Sequence, residues 1–144
     1  MKKFKDVSDG VKKILLEQFG IGCDYRFYEG GKGKIYAVKE DAPDFLRRKV
    51  VHSGVYVGRI ERDGFRLSLD GAALLGRYAK RCVVDVGDEV VERWMKGEDL
   101  EDLELESDCS YVILRWRGFY VGCGKVVDGK VKNYIPKNRR ISVP

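Results

Sequence analysis

Few residues in this chain are suited to reactive chemistry, and their spacing is as informative as their types. His52 is the single histidine, so no multi-histidine metal site can form. It follows the basic stretch Arg47-Arg48-Lys49, which disfavours a protonated imidazole, and it reads as a surface histidine rather than a general base. The four cysteines, Cys23, Cys82, Cys109 and Cys123, are scattered without a C-x-x-C pair and read as reduced, half-buried thiols of a cytoplasmic protein. Gly30-Gly31-Lys32-Gly33-Lys34 lacks the spacing of a phosphate-binding loop, and no helix follows it. Glu98, Asp99, Glu101, Asp102, Glu104, Glu106 and Asp108 offer many carboxylates, but three leucines interrupt them and the calcium-loop spacing is missing. A solvated acidic loop is expected there. Neither a catalytic centre, nor a metal, nor a cofactor is expected.

What remains is binding. Residues 1–81 hold 18 Lys and Arg against 11 Asp and Glu, residues 82–108 hold 2 against 11, and residues 109–144 hold 8 against 1. Two basic blocks around an acidic one suggest a positive surface for a polyanion, although solvated charge alone gives the same count. With 44% hydrophobic and 35% charged residues the chain is that of a folded protein, and no apolar run is long enough to cross a membrane. The richness in charge over Gln and Asn hints at a thermophilic source.

The elements that must carry this surface alternate between helix and strand. Val11, Ile14 and Leu15 predict a helix begun by Ser8 or Asp9 and ended by Gly20. Strands are expected at Tyr25–Tyr28 and Lys34–Lys39 around a glycine-rich loop, and at Val55–Glu61 and Phe65–Leu69 around Asp63-Gly64. Asp44–Lys49 is ambiguous, and Asp70 is placed to cap a helix running to about Lys80. A second unit begins near Cys82 with a short strand, then a helix from Asp88 whose Val90, Val91, Trp94 and Met95 form an apolar stripe ended by Gly97. Tyr111–Trp116, Phe119–Val127 and Lys130–Ile135 form a meander, with Arg117-Gly118 and Asp128-Gly129 as turns.

In that meander Lys125 falls opposite Lys132, which costs stability unless an anion sits over the pair. Strict alternation would also mix apolar and basic residues on one face, so a β-bulge is expected at Gly122 or Gly124. Val112, Leu114, Trp116, Phe119, Val121, Val126, Val131 and Ile135 then line the core. Arg115, Tyr120, Lys125, Lys130, Lys132 and Tyr134 form a basic face interleaved with aromatics, extended by Lys137, Arg139 and Arg140. Arg and Lys bind phosphate and Tyr stacks on unpaired bases, so these nine residues are the expected RNA-binding set.

The segments Trp94-Met95-Lys96-Gly97-Glu98-Asp99-Leu100, Tyr111–Trp116, Gly122-Cys123-Gly124-Lys125 and Lys132-Asn133-Tyr134-Ile135-Pro136-Lys137-Asn138-Arg139-Arg140 resemble a PUA domain. The version is similar to that of 5-methylcytosine RNA methyltransferases and of free-standing archaeal relatives. The front half resembles the α/β module that precedes PUA domains. The resemblance implies an α+β fold, with residues 1–80 as a pre-PUA-like α/β module and 81–144 as a PUA-like β-barrel. It also implies RNA binding in tRNA or rRNA modification or ribosome assembly. With the catalytic signatures missing, the expectation is a non-catalytic protein that docks structured tRNA or rRNA, alone or beside a modifying enzyme or assembly protein. The acidic stretch departs from the glycine-rich loop by which many such domains meet RNA, so it is expected to face away from RNA or toward a protein partner. The competing expectations are a small metal-dependent enzyme acting on RNA or nucleotides, and a protein adaptor using the acidic loop.

Overall fold

The structure, a computed structural model, describes residues 4–41, 54–106 and 108–141. His52 and the ambiguous stretch Asp44–Lys49 lie outside the described residues.

In the front half, β1 (Lys5–Asp6), β2 (Tyr25–Glu29), β3 (Lys34–Lys39), β4 (Val55–Glu61) and β5 (Gly64–Leu67) form one antiparallel sheet in that order. Helix α1 (Ser8–Phe19) covers one side of it, burying Val11, Leu15 and Phe19 against Phe27, Ile35, Ala37, Val57 and Phe65. Each large side chain among them contributes about 1.5–3 kcal/mol by leaving water. Ser8 does not cap this helix. Its buried hydroxyl accepts from the Phe27 N–H at 2.8 Å and donates to Asp6 Oδ1 at 2.6 Å, tying α1 to the sheet. Gln18 does the same at the other end, bonding both the N–H and the C=O of Phe65. Gly20 ends the helix in a left-handed conformation, as expected.

Helix α2 (Leu69–Leu75) is capped by Ser68, whose Oγ accepts from the Gly71 N–H at 2.9 Å; Asp70 is not the cap. It is a wedge. Gly71 lies against the Val57 carbonyl of β4, and Gly76, just beyond the helix, lies against the ring of Tyr120. Small residues here let one short helix touch both halves of the molecule.

The second sheet has the order β6 (Val83–Asp85), β7 (Tyr111–Trp116), β8 (Phe119–Val127), β9 (Lys130–Lys132), with β6 parallel to β7 and the rest antiparallel. Among the described residues its strand pairing runs from β6 to β9 without closing into the expected barrel, and a single bridge from Leu100 to Val131 extends it past β9. Both hairpins close through two-residue turns, Arg117-Gly118 and Asp128-Gly129, with positive φ at both positions, the primed geometry that suits right-twisted strands. Helix α3 (Asp88–Met95) lies on one face, its Trp94 over Gly122 and Gly124 and its indole N–H donating to the Val121 carbonyl at 2.9 Å.

The bulge is present one step before the expected glycines. Leu114 pairs with Gly122 and Arg115 with Tyr120, leaving Val121 as the extra residue. Of the expected apolar set, Val112, Leu114, Val131 and Ile135 are buried and Val121 and Val126 partly so. Phe119 is 64% exposed at the hairpin tip, stacked on Trp116 at 6.0 Å. The larger departure is that Tyr111 and Ile113, on the opposite face, are buried too. Helix α2 and β5 pack on that face, so β7 is enclosed from both sides and the buried residues of the two sheets form one continuous cluster.

The cysteines also depart from expectation. Cys82 and Cys109 are joined in a disulfide, with Cα atoms 5.8 Å apart, while Cys23 and Cys123 are free. The bridge fastens the end of the acidic stretch to the start of β6.

Candidate nucleic-acid interface

The nine residues expected to meet RNA lie in two very different settings. Arg115 and Tyr120 are a cross-strand pair, and Lys125, Lys130 and Lys132 share the same side of the sheet. Its middle, however, is the surface on which α2 and β5 pack, so only the margins reach solvent.

At the margins most of the charge is already matched. Arg115 makes a two-pronged contact with Asp85, at 2.6 and 2.9 Å, which lifts the guanidinium pKa and lowers that of the carboxyl. Arg139 grips Asp70 in the same way at 3.1 and 3.0 Å. Lys130 pairs with Glu101 at 3.1 Å. Lys125 does lie opposite Lys132, as expected, and the anion over it is Asp63 at 3.0 Å. The Tyr111 hydroxyl donates to the same carboxyl at 2.7 Å, and these two hydrogen bonds hold Asp63 below the usual carboxylate range. No ligand is needed to explain that lysine pair.

Lys132, Lys137 and Arg140 form no ion pair among the described residues. Arg140 is half-buried, lying over Gly97 and donating from Nε to the Ile135 carbonyl at 3.0 Å, so its first role is to pin the tail to the end of α3. Lys132 and Lys137 are exposed. Between them Asn133 is buried with its side chain satisfied. Its amide donates to the carbonyls of Trp94 (2.8 Å) and Glu98 (3.0 Å), and its Oδ1 accepts from Ile135 N (2.8 Å). Its backbone N–H donates to Asp99 Oδ1 at 2.8 Å. The Gly97-Glu98 step and the Lys132–Lys137 segment, far apart in sequence, are therefore one structural knot with a cation on either side.

The acidic stretch is correspondingly less free than expected. Leu100 is buried beside Val131, Leu103 and Leu105 pack on the core, and Asp99 and Glu101 are engaged by Asn133 and Lys130. Cys82, Glu106 and Cys109 bring potential metal ligands together, but the two thiols are spent on each other.

The comparisons with known proteins bear on this half of the chain. Residues 81–141 match the model of the methyltransferase RsmF PUA domain. Residues 81–141 form a PUA-like domain similar to that of RNA methyltransferases. The ribosomal RNA small subunit methyltransferase F of Vibrio vulnificus strain YJ016 is 27% identical over 84 residues, which is 58% of this chain and 17% of the relative. That of Aeromonas salmonicida is 30% identical over the same shares, and that of Psychromonas ingrahamii 24% over 80 residues. The chain thus spans about a sixth of the length of these relatives, and they are bacterial, which leaves the archaeal expectation without support. In the PUA-like domain the knot around Asn133 is what the Gly97-Glu98 and Lys132–Lys137 motifs build.

Sequence reading missed a second candidate surface, on the front sheet. Opposite the face covered by α1, Tyr28, Tyr36 and Tyr56 are cross-strand partners in one row, and Lys34, Arg59 and Arg66 are partners in the next. Tyr36 lies 5.9 Å from Tyr56, Phe4 packs edge-on at 5.6 Å from Tyr36, and Lys34 sits 5.3 Å over the Tyr56 ring. The row reaches the PUA-like domain, because the Arg66 guanidinium lies over the Tyr134 ring at 4.2 Å with Lys132 on the same ring at 5.6 Å. The alternation Lys34-Ile35-Tyr36 was the available signal; the bulge in β4 that aligns Tyr56 and Arg59 with it left none.

Proposed function

We propose that the protein is a non-catalytic RNA-binding protein that docks structured tRNA or rRNA in RNA modification or ribosome assembly. The observation that carries this reading is the match of residues 81–141 to the PUA domain of an rRNA methyltransferase. Lys132 and Lys137 suit the role because they flank the buried Asn133, are exposed, and pair with no carboxylate among the described residues. The likeness covers 17% of the methyltransferases' length. On this reading the protein presents RNA to an enzyme or assembly factor, with its front half widening the grip.

The test is the salt dependence of affinity for bulk tRNA and for rRNA fragments between about 50 and 200 mM salt. Each phosphate that a variant no longer neutralises lowers the slope of log affinity against log salt by about 0.7–0.9. Replacing Lys132 and Lys137 with glutamine is expected to lower it by about twice that, whereas replacing Arg115 and Arg139, already held by Asp85 and Asp70, leaves it nearly unchanged. Equal slopes for wild type and the double lysine variant would defeat this reading.

A further inference from the structure

Three cations directly opposite one another on neighbouring strands are a costly arrangement. Lys34, Arg59 and Arg66 form such a row, and among the described residues the carboxylate paired with it is Glu61, which holds Arg66 at 3.0 Å. At the Lys125–Lys132 pair the protein supplies its own anion. Here, among the described residues, one carboxylate faces three cations, and the imbalance favours an anionic ligand.

The neighbouring row indicates what kind of anion. Tyr36 and Tyr56 present rings two residues along the same face, and Tyr134 continues the series across the seam beneath Arg66. Between Tyr56 and Tyr134 lies a cleft of about 120 Å³, closed at its sides by Arg66, Ser68 and Pro136. Glu61 accepts from both Nε and a terminal nitrogen of Arg66, which ties down the guanidinium beside Tyr134 at the wall of the cleft. Alternating flat rings and cations suit a polymer that carries a charge and a flat apolar group at every repeat. Unpaired nucleic acid is that polymer, and base stacking on aromatic side chains tolerates any sequence. A duplex keeps its bases stacked inside and offers none to such a surface.

We propose that an unpaired stretch of RNA crosses the seam between the two sheets. One base sits in the cleft between Tyr56 and Tyr134, the next stacks on Tyr36, and Lys34, Arg59 and Lys132 meet the phosphates. The proposal rests on the RNA-binding reading and extends it to the front half, assigning the substrate class of that half as single-stranded RNA joined to the structured part held by the PUA-like domain.

The experiment measures binding of a mixed-sequence single-stranded RNA of about ten nucleotides and of the blunt duplex of the same length. Tyr36→Ala and Tyr56→Ala are each expected to weaken single-strand binding by about tenfold, the low-to-middle range for one stacked base, without changing its salt slope. Duplex binding stays at the wild-type level, and Tyr36→Phe and Tyr56→Phe keep full affinity because stacking does not use the hydroxyl. Wild-type single-strand affinity in both alanine variants, alongside weakened binding by Lys132→Gln/Lys137→Gln, would overturn this track and leave the RNA-binding reading standing. Failure of the wild-type protein to bind the single strand would overturn this track, and failure to bind bulk tRNA and rRNA fragments as well would overturn both. Photo-crosslinking of a 4-thiouridine strand to the unaltered protein needs no folded variant. Adducts on Tyr36, Tyr56 or Tyr134 support the track, and adducts confined to Lys137 and the residues after it overturn it.

Discussion

Asp63 Oδ2 lies 3.0 Å from Lys125 Nζ, so the turn of the front hairpin neutralises a lysine of the second sheet. Asp63→Asn keeps an acceptor for the Tyr111 hydroxyl but removes the charge. For so exposed a pair the stability cost is small, because solvent screens it. Nucleic-acid affinity moves the other way, because Lys125 becomes available, and the salt slope rises by about 0.7–0.9. Denaturant unfolding and a salt titration of RNA binding on the same sample check both signs, and a lowered slope would contradict the assignment.

The Cys82–Cys109 bridge closes a loop across a separation of 27 residues. On the loop-entropy estimate its removal costs about 3–4 kcal/mol. Cys82→Ser/Cys109→Ser should therefore unfold at distinctly lower denaturant, and reductant should shift the wild type to match it while leaving the variant unmoved. Thiol counting on the unfolded, unreduced protein should find two reactive cysteines, Cys23 and Cys123, and finding four would refute the bridge.

Acid should act through Asp6. Burial raises the Asp6 pKa, but hydrogen bonds from Ser8 and Arg26 outweigh it and bring the carboxyl down to about 2. A carboxyl depressed in the folded state stabilises above its unfolded value near 3.8, and that contribution is lost as pH falls toward 2. Asp6→Asn should be the less stable protein at neutral pH, by about 1 kcal/mol or less because the pair is solvent-screened. The two stability curves should converge between about pH 4 and pH 2. A gap that persists at about pH 2 would show that the Asp6 contribution is not ionic.

Gly122 is constrained both by its backbone and by its neighbours. Its φ is +140°, and a Cβ there would fall 2.8 Å from the Trp94 indole nitrogen. Gly122→Ala combines backbone strain with overpacking and should cost about 2–5 kcal/mol, read as a lowered unfolding midpoint. Gly118→Ala, in a turn with open space around it, incurs the strain alone and should cost less.

How far these features were legible in the sequence depends on distance along the chain. Local signals held: the Asp128-Gly129 and Arg117-Gly118 turns set the Lys125–Lys132 register, and the face conflict in the meander located the bulge to within a residue. The burial of both faces was not read, although the unbroken run Tyr111-Val112-Ile113-Leu114 is the pattern of a strand covered on two sides. Assuming one wet face turned packing surface into RNA surface. The partners that neutralise Arg115, Lys125, Lys130 and Arg139 come from other elements, and composition cannot pair charges across a fold. The same holds for the cysteines, whose pairing depends on how the acidic stretch returns to β6.

The enclosure of β7 also limits how the protein can be taken apart. A piece cut at Arg81 would lose α2 and β5, and with them the cover over Tyr111, Ile113 and Cys123. The exposed strip would be adhesive, so the excised piece would be a poor cassette for grafting onto an enzyme. A chimera that carries it must bring its own lid for that strip, and the shape of the lid, rather than the linker, will decide whether the graft stays monomeric.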